Sequence, residues 1–192
     1  MDQIDHDTLT RSQTARRERV VTAAMDLASS GGYDAVQMRD VAATAHVALG
    51  TIYRYFSSKD HLLAATLVEW TRDLQRRVTQ RPARGDTAVD RVIDIVGRAT
   101  RTMERQPTLT AALMTAMSAP DPAIKPCQQE VGDLMFEVMA TAMPEIDEDL
   151  RRDVCKVLTH VWFSAMIGWS NNWGGGVNVT DEVKLAARLL LR

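Results

Sequence analysis

Cysteine is scarce: Cys127 and Cys155 are the only two in 192 residues, far apart and each set in a helical pattern. That excludes a disulfide-stapled secreted scaffold and points to reduced, packed thiols. Long apolar runs are also missing. No stretch of about 18 apolar residues exists to cross a bilayer. The opening run MDQIDHDTLTRSQ, with Asp2, Asp5 and Asp7, has neither the basic start nor the apolar core of a secretory leader. A cytoplasmic protein with no membrane partner is expected. Strand-like alternation, internal repeats and low-complexity tracts are absent too, which leaves an all-α fold. His6, His61 and His160 have no neighbours at metal-ligand spacing, and His46 falls in a turn, so no metal and no cofactor are expected. No carboxylate pair accompanies a histidine, no cysteine sits at a catalytic distance from one, and Gly174-Gly175-Gly176 lacks the flanking strand of a phosphate loop. An enzyme on a helical scaffold would need such a set.

What is present is an ordinary soluble balance, 45% hydrophobic and 25% charged residues, enough to bury a core. The net charge of −2 argues against a protein that coats nucleic acid indiscriminately. Its distribution is uneven. From Arg11 to Lys59 seven basic residues face four acidic ones, so the remainder is acidic. A locally basic end on an acidic protein suits a DNA module that relies on a few placed phosphate contacts.

The apolar spacing is helical along most of the chain. Val20, Ala24, Leu27 and Ala28 form a stripe behind a possible capping box at Thr10–Gln13, and Gly31-Gly32 ends that helix. A short helix over Met38–Ala45, a turn at His46-Val47-Ala48 and a second short helix over Leu49–Phe56 follow. Ser57-Ser58-Lys59-Asp60 supplies an N-cap for a longer helix to about Thr79. Arg81-Pro82-Ala83-Arg84-Gly85-Asp86 is the clearest break. Helices are then expected over Asp86–Met103, from Leu109 to Met117, over Ile124–Met143 up to Pro144, over Asp147–Trp173, and from Thr180 onward. This divides the chain into a DNA-reading domain at 1–58, a connecting helix and linker at 59–85, and a ligand-binding and dimerisation domain at 86–192.

Met38–Phe56 has the parts of a helix-turn-helix: a support helix with small inward residues, a tight turn, and a second helix bearing donors for a major groove. Gly50 permits close backbone approach to DNA. Thr51, Tyr53 and Arg54 carry outward donors, while Ile52 and Phe56 point inward. Tyr55 and Lys59 are placed where the next phosphates would pass, with Arg17, Gln37, Arg39 and Leu49 completing the expected contact set. Val41-Ala42 and Val47 through Lys59, built on Gly50-Thr51-Ile52-Tyr53-x-x-Phe56-x-x-Lys59, resemble the signature of the TetR family of transcription regulators. Gly32-Tyr33-Asp34-Ala35-Val36 stands at the matching distance upstream. Two positions depart from the usual pattern: Gln37 stands where threonine commonly caps the support helix, and Ala48-Leu49 replace serine and a polar residue. The resemblance implies a homodimer on a near-palindromic double-stranded operator. An architectural DNA-binding protein without a ligand is the alternative.

Seven of the ten methionines lie between Met103 and Met166, close in sequence to three tryptophans. Flexible, polarizable linings suit a cavity that repacks around a ligand, although methionine equally fills ordinary cores. Met103, Met114, Met117, Met135, Met139, Trp162, Met166 and Trp169 are the expected lining. Gly31–Arg39, Gln106-Pro107-x-Leu109-Thr110 and Val161-Trp162 are similar to actinobacterial repressors of sterol catabolism, which implies an acyl-CoA or steroid-derived effector. Such an effector needs cations for its phosphates; Arg98, Arg101, Arg105, Lys125, Arg151, Arg152 and Lys156 are candidates. Leu158, Ala165, Gly168, Val183, Ala187 and Leu190, small and apolar, form the expected dimer seam.

Overall fold

The computed structural model describes residues 11–173 and 176–191, and among these every regular element is helical. The expected cap at Thr10 and the glycines Gly174-Gly175 lie outside the described residues. The chain folds into two compact units.

The first unit holds residues 11–67 together with Thr108–Gln128. Helix α1 (Arg11–Ala35) buries Val20, Val21, Ala24 and Ala28. The expected stop at Gly31-Gly32 appears as a break rather than an end. Gly32 takes φ 72°, ψ −164°, a conformation costly for a residue with a Cβ, and the chain then makes one more turn. Helices α2 (Met38–Thr44) and α3 (Leu49–Tyr55) follow. His46, at φ 53°, turns the chain between them, and Val47 N–H donates to Ala42 O at 3.0 Å. Val41, Ile52 and Phe56 are fully or almost fully buried, each such side chain stabilising the unit by roughly 1.5–3 kcal/mol relative to exposure.

Helix α4 (Lys59–Gln80) begins in this unit and continues into the other. Its cap is Ser58, whose Oγ accepts from His61 N–H at 3.0 Å. From far along the chain come α6 (Pro107–Met117), a 3-10 turn at Pro122–Ile124 and the start of α7 (Lys125–Ala140). Asp121 caps the 3-10 turn through Ala123 N–H, 2.9 Å away. A methyl group at Gly32 would lie 3.5 Å from Thr108 Cγ2, so the end of α1 and the start of α6 are in close register. The linear division at 58 and 85 therefore does not match the compact units: residues 108–128 group with the helix-turn-helix instead of with the C-terminal helices.

The second unit holds the rest of α4, α5 (Ala88–Glu104), most of α7, α8 (Glu148–Ser170) and α9 (Val179–Leu190), with α9 packed against both α5 and α8. Each new helix has a polar start. Thr87 and Asp90 form a reciprocal capping box on α5, Asp147 caps α8 and Asn178 caps α9. Ile95, Val96, Met103, Met139, Leu158, Met166, Val183 and Ala187 make the core. The buried Trp162 indole N–H donates to the Thr100 hydroxyl at 3.0 Å, which satisfies two polar groups inside the apolar body. No described helix is long and apolar enough to cross a membrane.

Candidate nucleic-acid interface

Because α3 has only seven residues, it exposes one narrow face. Tyr53, 43% exposed, and Arg54 stand out from it; Leu49 and Thr51 are half-buried. Gly50 is exposed, and a methyl group built there would meet nothing within 4 Å. Its backbone is helical without a positive φ. The fold itself thus gives no reason for glycine at this position. Gln37, Arg39 and Tyr53 share a shallow hollow with Met38 and Asp40, so these three expected contacts converge. Gln37 makes no cap to α2; its amide donates to Asp34 O at 3.0 Å.

Tyr55 and Lys59, both expected contacts, also have partners within the protein. Tyr55 is buried, with its ring tilted against Phe56 and the Arg54 guanidinium 5.4 Å above its centroid. It packs at the end of α3. Lys59 is half-buried, its ammonium 3.7 Å from the Tyr33 ring centroid and donating to Tyr33 O at 3.2 Å. This cation ties the start of α4 to the end of α1. Arg17 is likewise drawn in, 5.5 Å above the Phe56 ring.

Around Lys59 lies a polar network that sequence reading missed. The Tyr33 hydroxyl donates to Asp60 Oδ1 at 2.6 Å, and burial followed by that carboxylate pushes its pKa up to about 12. The Ser58 hydroxyl donates to Asp121 Oδ2 at 2.5 Å, which holds the Asp121 carboxyl below its ordinary range. His61 Nδ1 accepts from Ser57 N–H at 3.2 Å, and its ring stands edge-on to Phe56. Burial lowers the His61 pKa, Asp121 opposing the shift and Arg17 adding to it. The Ser-x-x-His spacing at 58–61 is visible in the sequence; the reach from Ser58 to Asp121 is not.

Of the expected ligand lining, Met114 and Met117 belong to the first unit, and Met103, Met135, Met139, Trp162, Met166 and Trp169 to the second. All but Trp169 are buried. Trp162 is committed to Thr100. A hollow of about 480 Å³ instead opens in the second unit between the later turns of α4 and α5, lined by Trp70, Leu74 and Val78 and by arginines that include Arg98, Arg101 and Arg105. Arg152 and Lys156 border a separate hollow with Cys155, whose thiol is raised to about 11 by burial. Arg151 donates to Met143 O and Ile146 O, and Lys125 is exposed in the first unit.

Of the expected seam, Leu158, Ala165, Gly168, Val183 and Ala187 are buried within the chain, where α8 and α9 pack together, and Leu190 is half-buried. The large apolar side chains left exposed on these helices are Leu150 and Val157, seven apart on α8, and Leu185 and Leu189, four apart on α9.

Comparison with known proteins accounts for this arrangement. Residues 20–66 match the family model described as bacterial regulatory proteins, tetR family, and residues 85–190 match a tetracyclin repressor-like C-terminal domain. The chain belongs to the TetR family. The regulator is 36% identical over 189 residues to the HTH-type transcriptional repressor KstR of Rhodococcus jostii, covering 97% of this chain and 88% of that one. Against KstR of Mycolicibacterium smegmatis the identity is 37% over 182 residues, covering 94% and 89%. A crystal structure of a TetR transcriptional regulator from Rhodococcus sp. RHA1 superposes with TM-score 0.84 at 30% identity, covering 94% of this chain and 98% of that one. Thermus thermophilus FadR in complex with lauroyl-CoA shares the fold, with TM-score 0.70 at 23% identity over 91% and 93%. Helices α2 and α3 lie within the matched N-terminal region, and the all-α two-part architecture is that of the family.

Proposed function

We propose that this protein is a transcriptional repressor that leaves its operator when a large apolar CoA thioester, of sterol or fatty acyl type, binds its C-terminal helices. The observation that carries the reading is the exposed face of α3. Tyr53, Thr51, Arg54 and an unobstructed Gly50 are gathered there on a rigid support, with Arg39 and Gln37 alongside Tyr53. Extended similarity to KstR repressors supports repression and sterol-linked control, and the lauroyl-CoA complex of a protein of the same fold supports a thioester effector. A single seven-residue helix reads too few base pairs for useful affinity. Two copies on a near-palindrome supply the rest, joined through the α8 and α9 faces that carry Val157, Leu185 and Leu189.

Selection of bound fragments from actinobacterial genomic DNA tests this reading. A near-palindromic site is expected, and Tyr53→Ala and Thr51→Ala each weaken its binding by roughly 1–3 kcal/mol while the helical content stays the same. Selected fragments without a shared sequence, or operator affinity unchanged in both variants, would overturn it.

A further inference from the structure

The hollow between α4 and α5 has an unusual charge. Arg77 and Arg81 reach it from the end of α4, and Arg98, Arg101 and Arg105 from α5, with Trp70 on the wall. The α5 arginines recur at i, i+3 and i+7, so they share one helix face. On α4, Leu74 and Val78 stand at i+4 and i+8 from Trp70, giving an apolar strip beside the cations.

Asp73 is the one acid in the lining. It pairs with Arg77 at 2.5 Å and with Arg76 at 3.1 Å. Arg98 lies 2.9 Å from Asp94 Oδ2 but off the hydrogen-bonding direction, and its other terminal nitrogen donates to Arg81 O at 2.8 Å. The side chains of Arg81, Arg101 and Arg105 make no ion pair with any described residue. Gly97 leaves room for the Arg101 guanidinium, which passes 3.1 Å from where a Cβ would stand.

A cation in the last turn of α5 is accounted for by the helix dipole. Five arginines converging on one hollow of about 480 Å³ are not, because like charges at these spacings repel. The volume lies within the roughly 300–1,000 Å³ of small-molecule sites. Guanidinium groups bind phosphate in forked pairs, and a partly exposed indole offers a face for a purine.

We propose that this groove binds the phosphorylated adenine nucleotide of a CoA thioester. The diphosphate and the ribose monoester together carry about four negative charges at neutral pH, close to the charge of five arginines and one aspartate. The adenine lies against Trp70, and the acyl part extends from the nucleotide along Leu74 and Val78. This placement rests on the thioester reading above, which names the effector but not where it is held.

Calorimetric titration of the full chain with CoA, dephospho-CoA and inorganic pyrophosphate tests it. CoA is expected to bind most tightly, dephospho-CoA more weakly and pyrophosphate weakest. Arg101→Glu/Arg105→Glu lowers CoA affinity at least about ten-fold, while Arg152→Glu, the same charge change on α8, leaves it unaltered. Arg101→Gln/Arg105→Gln provides a milder pair, and thermal melts verify folding. No CoA binding to the unsubstituted chain, or equal affinity in the double variants, would overturn the proposal. So would pyrophosphate binding as tightly as CoA, which would make the groove a general anion surface. Thioesters that release operator from the double variants at unaltered concentration sink the groove and keep the thioester reading. CoA binding in the groove without operator release by any thioester does the reverse.

Discussion

At Gly50 two scales of free energy act in opposite directions. Replacing a helical glycine by alanine favours folding by roughly 0.5–1 kcal/mol through the unfolded chain's entropy, and nothing within 4 Å resists the added methyl group. Gly50→Ala should therefore melt no lower than the unsubstituted protein and yet bind operator several-fold more weakly, because the methyl meets the DNA. Melting curves and fluorescence anisotropy on the same sample check both signs; a lower melting temperature with unaltered affinity would contradict this account of the glycine. Tyr55 gives the opposite lesson. It sits two residues from the exposed Tyr53, yet it is buried. In so short a helix there is no second turn whose spacing would tell an inward tyrosine from an outward one.

Between elements, the start of α4 is held from two sides: Lys59 and Asp60 bond to Tyr33 at the end of α1, and Ser58 bonds to Asp121 before the 3-10 turn. Ser58→Ala removes both a helix cap and a charge-assisted bond and should cost about 1–2 kcal/mol. Asp121→Asn should cost less, and the double variant less than the sum, because the two share one contact. A strictly additive denaturation cycle would dissolve the Ser58–Asp121 link. His61 makes stability depend on pH. Its pKa is lowered in the folded state, so below the ordinary value of about 6.5 the unfolded chain takes up the proton first. The stability present above that pH is lost as the pH falls toward the folded value. Melts from pH 8 to pH 5 should decline more steeply for the unsubstituted chain than for His61→Gln, and parallel curves would refute this.

Much of the element map was legible. The positions of α2 and α3, the Gly32 break and the stripes of α5 and α8 all follow from local spacing and turn chemistry. What local pattern could not carry is partnership across the chain. Ser58 and Asp121 are 63 residues apart. Thr108 meets Gly32 although α6 looks like part of the C-terminal body. The groove arginines are divided between two helices by the break at 81–86. Spacing alone does not tell whether the small residues of α8 and α9 pack those two helices on each other or face a second protomer; in this chain they pack the two helices together.

For the whole molecule, assembly is best tested at apolar side chains that the single chain leaves exposed. An arginine at Ala165 would disrupt packing inside the chain, where Ala165 is 7% exposed. Leu185 and Leu189 are 58% and 54% exposed, so Leu185→Arg or Leu189→Arg should leave the fold intact. In a dimer each would bury an unpaired charge and shift the protein to monomer, with loss of most operator affinity. Sedimentation showing an unaltered dimer in both variants would place the interface elsewhere. The central claim joins two sites, an operator-reading α3 and an effector held by the C-terminal helices, and linkage requires each ligand to weaken the other by one factor. For a coupling of about 1–3 kcal/mol that factor is roughly 5–150. The decisive measurement is a titration of sterol-CoA and long-chain acyl-CoA thioesters against a labelled operator complex, with the reverse titration of operator against the thioester-bound protein. The account predicts release by at least one class and equal factors in the two directions. Operator affinity indifferent to every thioester would contradict it.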